Sequence, residues 1–199
     1  FRSDVSSAVY AQVFDVNNNA ISGEIRVNEV TERDQLSPAV SIDDLGRFII
    51  VWTSRERDQD ENLVATIRGR RFDENGGALS SEFQISDGQV IAVSQADVAL
   101  DPVSGGWTVA WKDDPNGTFD NVTRAKVFDS NGVPQTSEFD PLLASDRFAI
   151  GSLRPRVAYS DSGEFAIVAA MGYEESGAGG SFFSSQVLAR IFNPDGSPK

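Results

Sequence analysis

Val13-Phe14-Asp15 recurs as Arg71-Phe72-Asp73, as Val127-Phe128-Asp129 and as Ile191-Phe192-Asn193. Aligned on the phenylalanine, the copies step by 58, 56 and 64 residues, and the flanking columns agree. Three residues earlier stands a small residue, Ala11, Gly69, Ala125 or Ala189. Three and four residues later come Asn17-Asn18, Asn75-Gly76, Asn131-Gly132 and Asp195-Gly196. Ten residues later stand Glu24, Glu82 and Glu138, followed by Ile25, Phe83 and Phe139. Self-similarity at a near-fixed period is the mark of one supersecondary unit repeated in tandem.

A second anchor runs in step with the first. Phe48-Ile49-Ile50-Val51-Trp52 matches Trp107-Thr108-Val109-Ala110-Trp111 and Phe165-Ala166-Ile167-Val168-Ala169. Such an unbroken apolar run predicts a strand buried on both faces. Before it lies a short alternating stretch, expected to begin at or near Pro38, Asp97 or Pro155, since proline is tolerated at a strand's first residue. A third strand ends at the anchor phenylalanine, the Asn-Gly or Asp-Gly pair turns the chain, and a fourth strand carries the glutamate column. The small residue is expected where two modules approach each other.

The unit is therefore a four-stranded antiparallel module, and the expected fold is all-β. Modules with doubly apolar central strands suit blades of a β-propeller stacked around an axis, either partial or part of a larger ring. A β-sandwich needs about 100 residues, more than one repeat supplies. The expected organisation is a half blade at 1–29 holding third and fourth strands, blades at 30–87 and 88–145, and a partial blade at 146–199. Because propellers need about four to eight blades, either a longer chain or association of copies would complete the ring.

Composition narrows the chemistry. The 199 residues include 17 Lys and Arg against 30 Asp and Glu, a net charge of -13. That field repels phosphate backbones and anionic lipid, so nucleic acid and membrane insertion are not expected. There is no cysteine and no histidine. Thiol chemistry, histidine bases and most transition-metal sites are thereby removed, which leaves oxygen ligands and calcium as the possible cofactor.

The columns Tyr10-Ala11-Gln12-Val13-Phe14-Asp15, Gly23-Glu24-Ile25-Arg26-Val27-Asn28, Asp34-Gln35-Leu36-Ser37-Pro38-Ala39-Val40 and Gly46-Arg47-Phe48-Ile49-Ile50-Val51-Trp52 resemble a known repeat. It is the YAQRFD…GGEFxVN…PxVA…FVVVW repeat of large secreted bacterial proteins. The resemblance is tightest over 9–52 and loosest over 140–186, where the glutamine column and the final tryptophan are lost. It implies propeller-like modules in secreted or cell-surface proteins, often beside adhesion domains, and carries over no catalytic residues.

Several acidic groups invite a reading. Asp15, Asp73 and Asp129, with Asn17, Asn75 and Asn131, either ligate calcium or cap turns through backbone hydrogen bonds. Glu24, Glu82 and Glu138 either ring a channel or lie on an outer strand near the basic column Arg70, Lys126, Arg190. Ser41-Ile42-Asp43-Asp44-Leu45-Gly46 approximates the structural Asp-box turn of sialidase-like propellers, one residue too long. The loops joining second to third strands vary most, and such loops on a rigid scaffold are where recognition resides. They carry the candidate ligand-binding residues Asp58, Asp60, Glu61, Asp113, Asp114, Asp120, Glu174 and Glu175. Asp113, Asp114 and Asp120 form the candidate calcium cluster.

These readings lead to a non-catalytic extracellular module that binds a glycan or protein partner, or other copies of itself, within a larger surface protein. Two alternatives stand beside it. One is a structural subunit of a filament, sheath or surface layer. The other is a carboxylate-only glycoside hydrolase, because two acids suffice for that chemistry.

Overall fold

The computed structural model describes residues 7–57, 60, 62–91, 95–113, 122–142, 149–177 and 180–199. Among them are thirteen strands and no helix. The chain is all-β, and every strand pairing is antiparallel.

Sheet I pairs β1 (Tyr10–Ala11) with β2 (Ile25–Arg26). Sheet II runs β3 (Asp34–Ile42), β4 (Phe48–Arg57), β5 (Leu63–Phe72), β6 (Phe83–Gln84), with β7 (Val90–Ile91) also on β5. Sheet III joins β8 (Ala96–Leu100), β9 (Trp107–Asp113) and β10 (Val122–Phe128). Sheet IV joins β11 (Ala149–Tyr159), β12 (Phe165–Gly177) and β13 (Gly180–Phe192).

The repeat columns become repeated pairings. Ala11 lies opposite Ile25, Gly69 opposite Phe83, and Ala125 bridges to Phe139. Phe48 pairs with Phe72, Trp107 with Phe128 and Phe165 with Phe192, and each pair stacks at 5.0, 5.4 and 5.1 Å. Aromatic stacking adds about 0.5–1.5 kcal/mol beyond burial at each position. The apolar second strand explains how sheets stack. Phe48, Ile50 and Trp52 pack toward sheet I, while Ile49 and Val51 pack toward Trp107, Val109 and Trp111 of sheet III. Ala110 then faces Val157, Phe165 and Ile167 of sheet IV.

Two expectations need correction. β3 and β11 start at Asp34 and Ala149, so Pro38 and Pro155 lie inside strands. Each proline sits in a bulge, after Leu36 and Leu153, which spares the ladder a missing N–H. The preceding Ser37 and Arg154 take positive φ, 52° and 41°, at these bulges, a region uncommon for residues other than glycine. At Gly69 the small-residue column makes room inside its own module, while Ala11 and Ala125 pack in cores shared by two sheets. A Cβ on Gly69 would lie 2.9 Å from Ile85 Cδ1 and 3.2 Å from the Phe83 ring, both just after it in the same module.

Candidate active site

Strand direction gives the molecule two unlike ends. At one end lie the tight turns that join first to second and third to fourth strands. At the other lie the loops between second and third strands and the links from one sheet to the next.

The turn end is built by one device. Asp15 Oδ1 accepts from the N–H groups of Asn17 and Asn19, Asp73 Oδ1 from Asn75 and Gly77, and Asp129 Oδ1 from Asn131 and Val133, all at 2.7–2.9 Å. Asp43 does the same for Leu45 and Arg47. The aspartates thus serve as turn caps. Hydrogen bonds from Asn19, and from the Val133 backbone, hold Asp15 and Asp129 below the usual carboxylate range. Gly76 closes one such turn at φ +86°, and a Cβ there would meet Ile25 Cδ1 at 2.3 Å.

Glu82 and Glu138 of the glutamate column are paired outer-strand residues rather than a channel ring, while Glu24 is exposed. Glu82 Oε2 accepts from the N–H groups of Glu29 and Val30 at 2.7 and 3.2 Å, in the link leaving sheet I. Arg68 pairs with Glu82, while Arg70 holds Glu29 at 2.9 Å and the Val27 carbonyl at 3.1 Å. One module later Glu138 accepts from the Asp87 N–H, and Lys126 holds Asp87 at 2.5 Å and the Ile85 carbonyl at 3.3 Å. Glu82 with Arg70, and Glu138 with Lys126, therefore form a latch that fastens each of these two modules to the link before it. Burial is the main cause raising the Glu138 pKa, aided by the charges of Asp87 and Asp113.

The loop end is polar where the turn end is capped. Asp34, at the tip of first strand β3, lies opposite Arg55 near the end of β4 and receives its guanidinium at 3.1 Å. That hydrogen bond, with help from Ser7, holds Asp34 below the usual carboxylate range. Behind it Trp52 donates its indole N–H to Gln35 Oε1 at 2.6 Å. The hydroxyls of Ser54 and Thr66 and the Trp111 indole N–H are buried here without a protein partner, a condition that Trp107 shares at the turn end. Such groups call for a polar partner.

The sequence-predicted residues fall unevenly. Asp113 ends β9, buried, with its carboxylate 3.9 Å from Arg124. Asp60 is exposed in a turn after β4. Glu174 and Glu175 lie on the backbone of β12. Asp58, Glu61, Asp114 and Asp120 lie outside the described residues. Among the described residues no group of three or more acidic side chains is placed to hold a metal ion. Asp34 stands within the repeat motif Asp34-Gln35-Leu36-Ser37-Pro38. Its column, read by its distance from Pro38, Asp97 and Pro155, holds Asp34, Val93 and Gly151, so a lone acid at a strand tip was the signal available.

No protein-family model matches the chain, and no curated protein is similar to it at a significant level. Among solved structures it is similar to a variant α-L-arabinofuranosidase from Fusarium graminearum in complex with an iminosugar inhibitor. The TM-score is 0.55 at 12% identity, over 89% of this chain and 52% of that one. The chain thus spans about half the length of that enzyme, and the likeness is one of fold. An endo-1,4-β-xylanase from Bacteroides thetaiotaomicron gives a TM-score of 0.36 at 9% identity, over 84% of this chain and 77% of that one, too loose to bear on the fold. The likeness to the arabinofuranosidase corrects the expectation of a non-catalytic binding or adhesion module, and with it that of no enzyme. Lack of histidine does not exclude catalysis, since glycoside hydrolysis needs only carboxylates. The glycoside hydrolase alternative is the better supported.

Proposed function

We propose that this chain forms part of a β-propeller glycoside hydrolase that cleaves neutral glycans by carboxylate chemistry at the loop-bearing end. The propeller reading draws on the stacking of successive sheets, in which first strand β3 lies against β8 and β8 against β11. First strands gathered side by side suit an axis, with the fourth strands outermost.

The observation that carries the catalytic reading is Asp34. It is an acid held ionised by Arg55 at the loop-bearing tip of a first strand, on a fold shared with an arabinofuranosidase. Glycoside hydrolysis pairs such a carboxylate with a second acid that protonates the leaving oxygen. The acidic loops between second and third strands supply that partner, with Asp60 and Asp113 the described members and Asp58 and Asp114 beside them in sequence. A net charge of -13 favours the oxocarbenium-like transition state, whose sugar ring gains positive charge.

The test is turnover of aryl α-L-arabinofuranosides, β-xylosides and β-glucosides by the chain and by its Asp34→Asn variant. Release of the aryl group from at least one of them, lost in the variant, is expected. Turnover from none, or turnover unchanged by Asp34→Asn, sinks the reading.

A further inference from the structure

One residue before the anchor phenylalanine, three copies carry an aliphatic side chain, Val13, Val127 or Ile191, and one carries Arg71. The place is an interior one. Val127 is buried in the core shared by sheets III and IV. Arg71 pairs with Ile49 and shares its face, toward sheet III, where the guanidinium lies over the Trp107 ring at 4.9 Å from the centroid. An arginine in an apolar column loses solvent. Burial, and then the charge of Arg47, lowers its pKa.

The two cations line one cleft with Asp43, Leu79, Gly105 and Ser130, where the turns of sheets II and III meet. The acids nearby are already engaged. Asp43 Oδ1 caps its own turn while Oδ2 accepts from Arg47 Nε at 2.8 Å, and Asp129 Oδ1 caps the turn that holds Ser130. Among the described residues no carboxylate stands at ion-pair distance from Arg71, in a chain with 30 Asp and Glu. Donors are in excess here, since the Trp107 indole N–H is also buried without a protein partner. Gly105, at φ +72°, keeps the space open. A Cβ there would lie 3.6 Å from Ser130 Cβ and 3.9 Å from Arg47 Nη2.

We infer that this cleft binds a tetrahedral oxyanion, a sulfate or phosphate group either free or esterified to a sugar, between Arg47 and Arg71 and beside Ser130. Arginine presents a fork of N–H donors suited to such groups. Two guanidinium groups match an anion of charge about −2 with three or more acceptor oxygens. A carboxylate brings half that charge and two oxygens. The donors come from three separate elements: the turn between β3 and β4, strand β5, and the turn after β10. The cleft lies at the turn end, opposite Asp34, so the inference is independent of the catalytic reading.

The test is titration of the full chain with sodium sulfate, sodium phosphate and sodium acetate, each against sodium chloride at equal ionic strength. NMR shifts of the Arg71 Nε–H and the Gly105 amide report binding. Saturable shifts with sulfate or phosphate are expected. Arg71→Val restores the aliphatic side chain of the other copies, and should fold while weakening binding by about tenfold or more, the scale of a lost hydrogen bond to a charged group. Arg47→Gln, at a half-exposed position, weakens it likewise and decides the matter should Arg71→Val not fold. Galactose sulfate separates the sources. Tighter binding than inorganic sulfate assigns an ester on a sugar, and equal or weaker binding assigns a free ion, each in support of the site. Absence of a saturable shift overturns the inference, as does binding that a folded variant leaves unchanged, or acetate binding as tightly as sulfate.

Discussion

The turn-bearing and loop-bearing ends are made from the same strands, yet they solve opposite problems. At the turn end Asp15, Asp43, Asp73 and Asp129 repeat one geometry, each carboxylate satisfied by nearby backbone N–H groups. At the loop end the modules differ: Asp34 meets Arg55, Asp113 lies near Arg124, and several buried polar atoms have no protein partner. Repetition marks positions whose task is to close a turn or pack a sheet. Divergence marks positions whose task is elsewhere.

The largest expected effect lies in the shared core beneath both ends. Trp107 is fully buried, stacks on Phe128 at 5.4 Å and packs toward sheet II. Trp107→Ala should cost about 3–5 kcal/mol, the usual range for a truncated buried aromatic. Chemical denaturation followed by Trp fluorescence would read it. A cost under about 1 kcal/mol would mean that the stacked pairs are not what holds sheets II and III together.

Next comes the latch. Glu82 has a side chain only 2% exposed, and its carboxylate serves Arg68 and two backbone N–H groups. Glu82→Leu leaves those donors unsatisfied and should cost about 1–3 kcal/mol. Gly69→Val belongs to the same class, since its side chain would enter the space of Phe83 and Ile85, and overpacking costs about 1–3 kcal/mol. Both are read by denaturant midpoints at unchanged slope.

A smaller effect depends on pH. Asp15, Asp129 and Asp195 have folded pKa values below the ordinary aspartate value of 3.8, held down by hydrogen bonds from Asn19, the Val133 backbone and Ser197. A depressed acid contributes stability that is present above 3.8 and lost as pH falls through its folded value. Melting temperature should therefore drop below pH 3.8, and the drop should shrink in Asp129→Ala. Glu138 runs the other way: burial raises its pKa, so ionising it costs stability as pH rises from its unfolded to its folded value. Glu138→Gln should flatten that limb.

Most of the architecture was legible because it repeats. Phe14, Phe72, Phe128 and Phe192, with the Asn-Gly turns behind them, fix strand order and register without reference to tertiary contacts. The bulges at Pro38 and Pro155 were not legible, because proline reads equally well as a strand start or as an interruption. The cause of the small residue at Gly69 was not legible, because closeness to a sheet's own fourth strand and closeness to a neighbouring module leave the same small residue. The latch could be seen as two columns, Glu82 with Glu138 and Arg70 with Lys126. Its partners are backbone groups 53 and 51 residues away, which no spacing reveals. At the candidate site, Asp34 was hidden by the motif around it, whose neighbouring columns serve pairing and packing.

The division between the ends is tested most directly by comparing Asp34→Asn with Asp129→Ala in one assay of aryl-glycoside hydrolysis, with melting temperature recorded alongside. The Asp34–Arg55 pair is half exposed, and such pairs contribute about 0–1 kcal/mol. Asp34→Asn should therefore keep its melting temperature within a few degrees and lose hydrolysis, while Asp129→Ala melts earlier and hydrolyses at the parent rate. Equal hydrolysis by both variants, or loss confined to Asp129→Ala, would contradict the account.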